Sequence, residues 1–164
     1  MGVPEPDTFE LWYRQTYPRL FAAMLGVCGD RDVAAEIADE AFARAWTHWR
    51  RVREMEAPMG WTYRVALNLL RTRQRRRRVE QRLLPRLVSR AEVEAPASEV
   101  WELVRALPLR QRIAIVLRYL GDLDERHIAE AMNVTRGSVA STLAAARRAL
   151  GAALREDDIV EDLS

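Results

Sequence analysis

Apolar residues recur every three to four positions along almost the whole chain, a period that admits amphipathic helices and leaves no place for a series of strands. Phe9, Tyr13, Tyr17, Leu20, Phe21, Met24 and Leu25 form the first run. Val33, Ile37, Ala41, Phe42, Ala45, Trp46 and Trp49 form the second, and Trp61, Val65 and Leu69 the third. Two shorter faces follow, Val100 to Leu107 and Ile113 to Leu120. The 7 Gly and 7 Pro lie largely between these runs, where they punctuate helices. The expected fold class is all-α.

The punctuation divides the chain. Asp7 with Glu10 three residues on resembles a capping box, so the first helix is expected to start at Asp7. Pro18 is expected to kink or break it, and Gly26 and Gly29 to end it. A second helix is expected from about Asp30 to Arg53, with acids early and arginines late, as the helix dipole favours. A third begins near Pro58. Mixed charge, Pro85 and Pro96 then mark a linker over residues 79–97, with a helical turn expected around Leu83 to Val88. Two small helical domains are therefore expected, 7–78 and 98–154, the second starting at Ser98 as N-cap, with an acidic, frayed tail over 155–164.

Charge is unevenly spread. The 26 basic residues are all Arg, and they face 24 acids for a net charge of +2. Between Arg71 and Arg90 stand nine Arg and one acid, Glu80, so a strongly basic block lies in an otherwise acidic chain. That asymmetry points to a polyanionic partner. The single cysteine, Cys28, reads as a small packed residue and excludes an internal disulfide. His48 and His127 stand far apart, so no metal site and no cofactor are expected. No apolar h-region opens the chain and no run approaches the ~20 residues that cross a bilayer. The expected setting is cytoplasmic, without membrane insertion.

Residues 124–148 have the grammar of a helix-turn-helix. Ile128 and Ala129 lie on a short helix, and Ala129 is small where two helices cross. Asn133 stands at the turn, where a residue tolerant of positive φ is needed. Thr135 can cap the second helix, and Val139 and Leu143 can anchor it. Arg136, Ser138, Ser141 and Thr142 are left exposed, as on a helix that reads the major groove. A plain three-helix bundle without a DNA role fits the same spacing.

These residues carry a resemblance. Leu107-Pro108, Gln111-Arg112, Leu117-Arg118-Tyr119, Ile128-Ala129-Glu130 and Ala146-Arg147-Arg148 follow the pattern of region 4 of extracytoplasmic-function (ECF) sigma factors, in the family's order. The run AAEIADEAFARAW is similar to region 2.2, and WTYRVALNLLRTRQRRRR to regions 2.3 and 2.4. The resemblance spans roughly residues 9–154.

The resemblance implies a promoter-specificity subunit with no enzymatic activity of its own. Its partners are core RNA polymerase, through the β′ clamp helices and the β flap, and promoter DNA, with an anti-sigma factor as regulator. Polymerase contacts map onto Glu36, Asp39 and Glu40. Opening of the −10 element maps onto Trp61, Tyr63, Arg64, Asn68 and Arg71, with Arg75, Arg76, Arg77 and Arg78 on phosphates. Trp61 shares a face with Val65 and Leu69 and is equally suited to the core, whereas Tyr63, Arg64 and Asn68 fall on other faces. Reading of the −35 element maps onto Thr135, Arg136, Ser138, Ser141, Thr142 and Arg147.

The chain departs from the pattern in places. Asp39 stands where many relatives have Gln, Ala140 and Thr142 where they have long polar residues, and Glu54 to Gly60 form an atypical loop, so no base pocket is carried over there. Fewer long donors on the recognition helix shift −35 reading toward Arg136, Ser138 and DNA shape. A sigma-like helix-turn-helix regulator that does not itself initiate transcription is the alternative.

Overall fold

A computed structural model describes residues 6–83 and 99–161, with side chains described over 8–80 and 100–155. All the described secondary structure is helical: α1 (Pro6–Cys28), α2 (Arg31–Thr47), α3 (Trp49–Val52), α4 (Pro58–Leu83), α5 (Glu99–Ala106), α6 (Leu109–Tyr119), α7 (Glu125–Met132) and α8 (Arg136–Glu161).

Several boundaries differ from the sequence reading. Helix α1 begins at Pro6, which suits a first turn because its missing N–H is not needed there. It also runs through Pro18 without a break. Proline inside a helix costs about 3 kcal/mol, and aromatic packing on both sides of it offsets that cost. Tyr13 and Tyr17 before or beside Pro18 meet Phe42 of α2 at ring-centroid distances of 5.1 and 5.6 Å, and Tyr17 stacks on Phe21 at 6.3 Å. The second expected helix is two, because the chain leaves helical dihedrals at His48 (φ −110°, ψ 18°). Residues 79–83, expected in the linker, continue α4. The expected tail is helical as far as Glu161. Ser98 and residues 84–98 lie outside the described residues.

Helices α1, α2 and α4 form one layer, and α5 to α8 a second bundle closed by α6, α7 and α8. The two groups of helices pack on each other: α1 on α5 and α6, and α4 on α7, so the buried residues form one cluster from Leu20 to Ala146. Close approach depends on Gly26 of α1, where a Cβ would lie 3.1 Å from the Trp101 ring and 3.2 Å from Val116. Ile37, Phe42, Leu67 and Leu70 fill the first layer, and Leu117, Ile128, Val139 and Leu143 the second.

The helix-turn-helix is built as its sequence requires. Asp124 caps α7, accepting from the His127 backbone N–H at 2.8 Å; that bond and the His127 ring hold its carboxyl below the usual range. Asn133 takes the left-handed conformation (φ 56°) that ends α7. Thr135 Oγ1 accepts from the Ser138 N–H at 3.2 Å, capping α8. Val139 and Leu143 are buried against α6 and α7.

Candidate nucleic-acid and protein-binding interface

Alternation of faces on α2 and α4 builds the first candidate surface. Val33, Ile37 and Ala41 turn inward, which leaves Glu36, Asp39 and Glu40 exposed on the opposite side of α2. All three acids are held by neighbours. Glu36 pairs with Arg73 of α4, and Glu40 with Arg44 one turn on at 2.8 Å. Asp39 accepts a hydrogen bond from the Tyr17 hydroxyl at 2.8 Å. Burial, together with that bond and the adjacent carboxylate charge, pushes the Tyr17 hydroxyl up to about 12. Tyr17, Arg44 and Arg73 are thus part of the acidic ridge. Arg44 was legible as an i, i+4 partner, but Tyr17 and Arg73 have no local sequence signal.

Helix α4 is the basic counterpart. It is 26 residues long, about 39 Å at 1.5 Å per residue. Helical rotation sorts its arginines onto two sides. Asn68, Arg76 and Arg77 line a groove of ≈ 690 Å³ between α2 and α4, together with Arg73 and the acids Glu36 and Glu40. Arg75 and Arg78 are exposed one and two turns beyond Arg71. The structure therefore brings the −10 candidates Asn68, Arg76 and Arg77 into one groove with two of the polymerase-binding candidates.

The −10 candidates at the start of α4 are placed differently from the sequence reading. Tyr63 is fully buried, whereas Trp61 is half-buried and Arg64 exposed. The deepest face of α4 is Thr62, Tyr63, Ala66, Leu67 and Leu70, because the helix is packed on two sides, by α1 and α2 and by α7. The expectation that Tyr63 lies on an accessible face is corrected for this arrangement. Burial pushes its hydroxyl well above the ordinary tyrosine range, and that hydroxyl has no hydrogen-bond partner among the described residues. Arg71 is also engaged: it donates to Asn68 Oδ1 at 3.2 Å and to the Met132 carbonyl, the last residue of α7, at 3.1 Å.

The recognition helix presents a short polar face. Thr135, Arg136 and Ser141 are exposed, and Ser138 and Thr142 half-exposed. The hydroxyls of Ser141 and Thr142 donate to the Ser138 carbonyl at 3.0 and 2.6 Å, which leaves their oxygen lone pairs outward. Arg136 Nε lies 3.6 Å from Glu125. Arg147 does not join this cluster. It donates to the Tyr119 hydroxyl at 3.1 Å, lies over that ring, and lines an apolar groove of ≈ 490 Å³ with Val100, Trp101, Leu150 and Leu154. That groove, with exposed Val100, Tyr119 and Leu154, is a second apolar surface that the sequence reading did not single out.

Among the described residues no group of His, Cys, Asp and Glu could hold a metal ion, and no helix is long and apolar enough to cross a membrane. Cys28 is half-buried, its thiol donating to the Asp30 carbonyl at 3.4 Å.

A polar helix-turn-helix and an acidic helix beside a basic one define a helical DNA- and protein-binding factor. Comparison with known proteins is specific. Residues 12–80 match the family described as Sigma-70 region 2, and residues 97–150 match Sigma-70, region 4. The chain is 26% identical over 160 residues to the RNA polymerase sigma-E factor of Streptomyces coelicolor, covering 94% of this chain and 88% of that protein. Its fold is similar to that of the sigma factor RpoE from Bartonella quintana, solved in complex with the anti-sigma factor NepR (TM-score 0.78, 17% identity, 90% of this chain and 97% of that one). It is also similar to CnrH in complex with the cytosolic domain of CnrY (TM-score 0.65, 19% identity, 94% and 92%). The chain belongs to the extracytoplasmic-function sigma factors of the sigma-70 family. It is an alternative sigma factor that directs core RNA polymerase to promoters, and it is not an enzyme.

Proposed function

We propose that the acidic ridge of α2 is the surface laid on the polymerase clamp and that α4 and the N-terminal turns of α8 make the promoter contacts. The observation that carries this reading is adjacency: Glu36 and Glu40 border the same groove as Arg73, Arg76 and Arg77. A sigma factor has to present polymerase-binding and DNA-binding surfaces side by side, so that melted DNA is held where the enzyme can receive it. Arg75 to Arg78 hold phosphates, Arg64 and Asn68 face displaced bases, and Thr135, Arg136, Ser138 and Ser141 meet the −35 element. The apolar groove between α5, α6 and α8 suits a hydrophobic helix, and we assign it to the polymerase flap or to an anti-sigma factor that competes for it. The protein acts in the cytoplasm, where polymerase and DNA are.

Charge reversal at Asp39 and Glu40 tests the clamp assignment. Both side chains are exposed, so D39R/E40R is expected to fold normally while losing about 100-fold in affinity for core polymerase, as expected when like charges are placed across an interface. Tyr17→Phe, which removes only the hydroxyl held by Asp39, separates loss of the ridge's support from loss of its charge. A fluorescence titration of labelled protein with core enzyme measures both. Affinity unchanged by D39R/E40R contradicts the assignment.

A further inference from the structure

The break at His48 changes the role of the arginines beyond it. In one helix continuing to Arg53, the arginines Arg50, Arg51 and Arg53 would serve the negative end of its dipole. Helix α2 ends at Thr47 instead, and Arg44 is the basic residue of its last turn. The three later arginines belong to α3 and its cap, and a helix of four residues has little dipole to offset. Residues 48–53 hold no acid. All three arginines are exposed, and among the described residues neither Arg51 nor Arg53 has an acid within ion-pair distance.

Helix α3 is anchored firmly. Trp49 and Val52 are buried. Trp49 Nε1 donates to Thr8 Oγ1 at 3.3 Å, and its ring lies 5.1 and 4.9 Å from those of Phe9 and Trp12 of α1. With those two residues turned inward, Arg50, Arg51 and Arg53 are turned out. The patch also continues a stripe on α4. Trp61, Arg64, Asn68, Arg71, Arg75 and Arg78 recur at alternating spacings of three and four, so they share one face of that helix. At 1.5 Å per residue the stripe is about 26 Å long. At its Trp61 end the exposed His48 ring stands nearly perpendicular to the indole (78°), with 6.4 Å between centroids. Arg51 follows one turn on, its N–H bonded to the His48 carbonyl at 2.9 Å. Cations along a path broken by flat rings suit a single strand, whose phosphates take the guanidinium groups and whose unpaired bases stack on the rings. The rings favour a nucleic acid over an acidic protein surface, and an unpaired strand over a duplex.

We infer that His48, Arg51 and Arg53 form a second grip on the displaced promoter strand, beyond the Trp61 end of α4. The strand follows the α4 stripe and turns at the corner of Trp61 and His48, where a base stacks. Its next phosphates meet Arg51 and Arg53. This rests on the assignment of α4 to the promoter strand. It adds a site on α3 that takes single-stranded DNA.

Reconstituted holoenzyme and a fluorescent oligothymidine strand test it, with the salt dependence of binding as the readout. Both arginines are exposed, so R51A/R53A is expected to fold with an unchanged Tm. Each phosphate contact on a single strand contributes about 0.7 to the log–log slope, so R51A/R53A should lower it by about 1.4. About sevenfold of the affinity loss between 50 and 200 mM salt should then disappear. His48→Ala should lower affinity about fivefold and leave the slope unchanged, which separates stacking from charge. Binding of blunt duplex should be unaffected by all three substitutions. A slope unchanged in R51A/R53A, while R75A/R78A flattens it, overturns the proposal. So does a loss of affinity for core polymerase without DNA that leaves the strand slope as it was, because the patch then belongs to the polymerase interface. If R75A/R78A leaves the slope unchanged, the α4 assignment fails, while the R51A/R53A slope still decides whether α3 holds a strand.

Discussion

Replacing Arg75, Arg76, Arg77 and Arg78 together with Ala is expected to flatten the salt dependence of DNA binding markedly while α4 stays helical. All four side chains are exposed, and Ala is the better helix former, so the variant loses charge without losing its scaffold. Each phosphate contact contributes about 0.9 to the log–log slope of affinity against salt on duplex DNA and about 0.7 on single strands. Four lost contacts should flatten the slope by about three, so about 100-fold of the affinity loss between 50 and 200 mM salt should disappear. Binding to a fluorescent promoter fragment at several salt concentrations measures this, with circular dichroism as the control for helix content. The two sides of α4 are separable. Arg75 and Arg78 lie on the Arg71 side, and Arg76 and Arg77 line the groove against α2. Each pair should account for about half of the change. An unchanged slope rules out the phosphate role.

The second large effect concerns the scaffold under the acidic ridge. Phe42→Ala is expected to destabilise the protein by about 3–5 kcal/mol. The ring is 2% exposed and meets Trp12, Tyr13 and Tyr17 at 5.1, 5.1 and 5.6 Å. Its removal therefore leaves a cavity and breaks three aromatic contacts worth roughly 0.5–1.5 kcal/mol each. For a chain of this size 1 kcal/mol moves the Tm by about 2–4 °C, so a fall on the order of 10 °C is expected. Polymerase affinity should fall with it, because Phe42 fixes α2 against α1 and so positions Asp39 beside Tyr17. Phe42→Leu keeps most of the volume and should lose much less. A Tm within 2–3 °C of the native value in Phe42→Ala would show that the aromatic cluster does not support the ridge.

Much of this architecture was legible in the sequence because it is local. The three-to-four period of Val33, Ile37, Ala41 and Ala45 sets which side of α2 is buried, and with it the exposure of Glu36, Asp39 and Glu40. Asn133 and Thr135 report the turn and the cap directly, since each acts within three residues of itself. What could not be read is what depends on contact across the fold. The Trp61, Val65 and Leu69 stripe is only half-buried, and the deeper face carries Tyr63, because α4 is covered on more than one side by α1, α2 and α7 and local periodicity does not mark this. The pairs that hold the layers together join residues 61, 70 and 85 positions apart. Their arginines look in the sequence like any other surface charge. The continuity of α1 through Pro18 was hidden for the same reason: the proline's cost is local, but part of the aromatic packing around it comes from Phe42 of α2.

The groove between α2 and α4 also gives the opening charge asymmetry a physical meaning. Part of the arginine block is not a free polycation but faces the acids of α2, through Arg73 and Glu36 above all. The acidic and basic faces of α2 and α4 are thus joined by an ion pair as well as by a shared groove.

Run-off transcription tests the central claim most directly. Purified protein and purified core polymerase are combined on a pool of linear promoter-bearing fragments from the source genome, and the 5′ ends of the products are mapped. Discrete start sites that appear only when the protein is added, and that vanish with the four-arginine variant, are the predicted result. Stable binding to core polymerase with no start site on any fragment would contradict it.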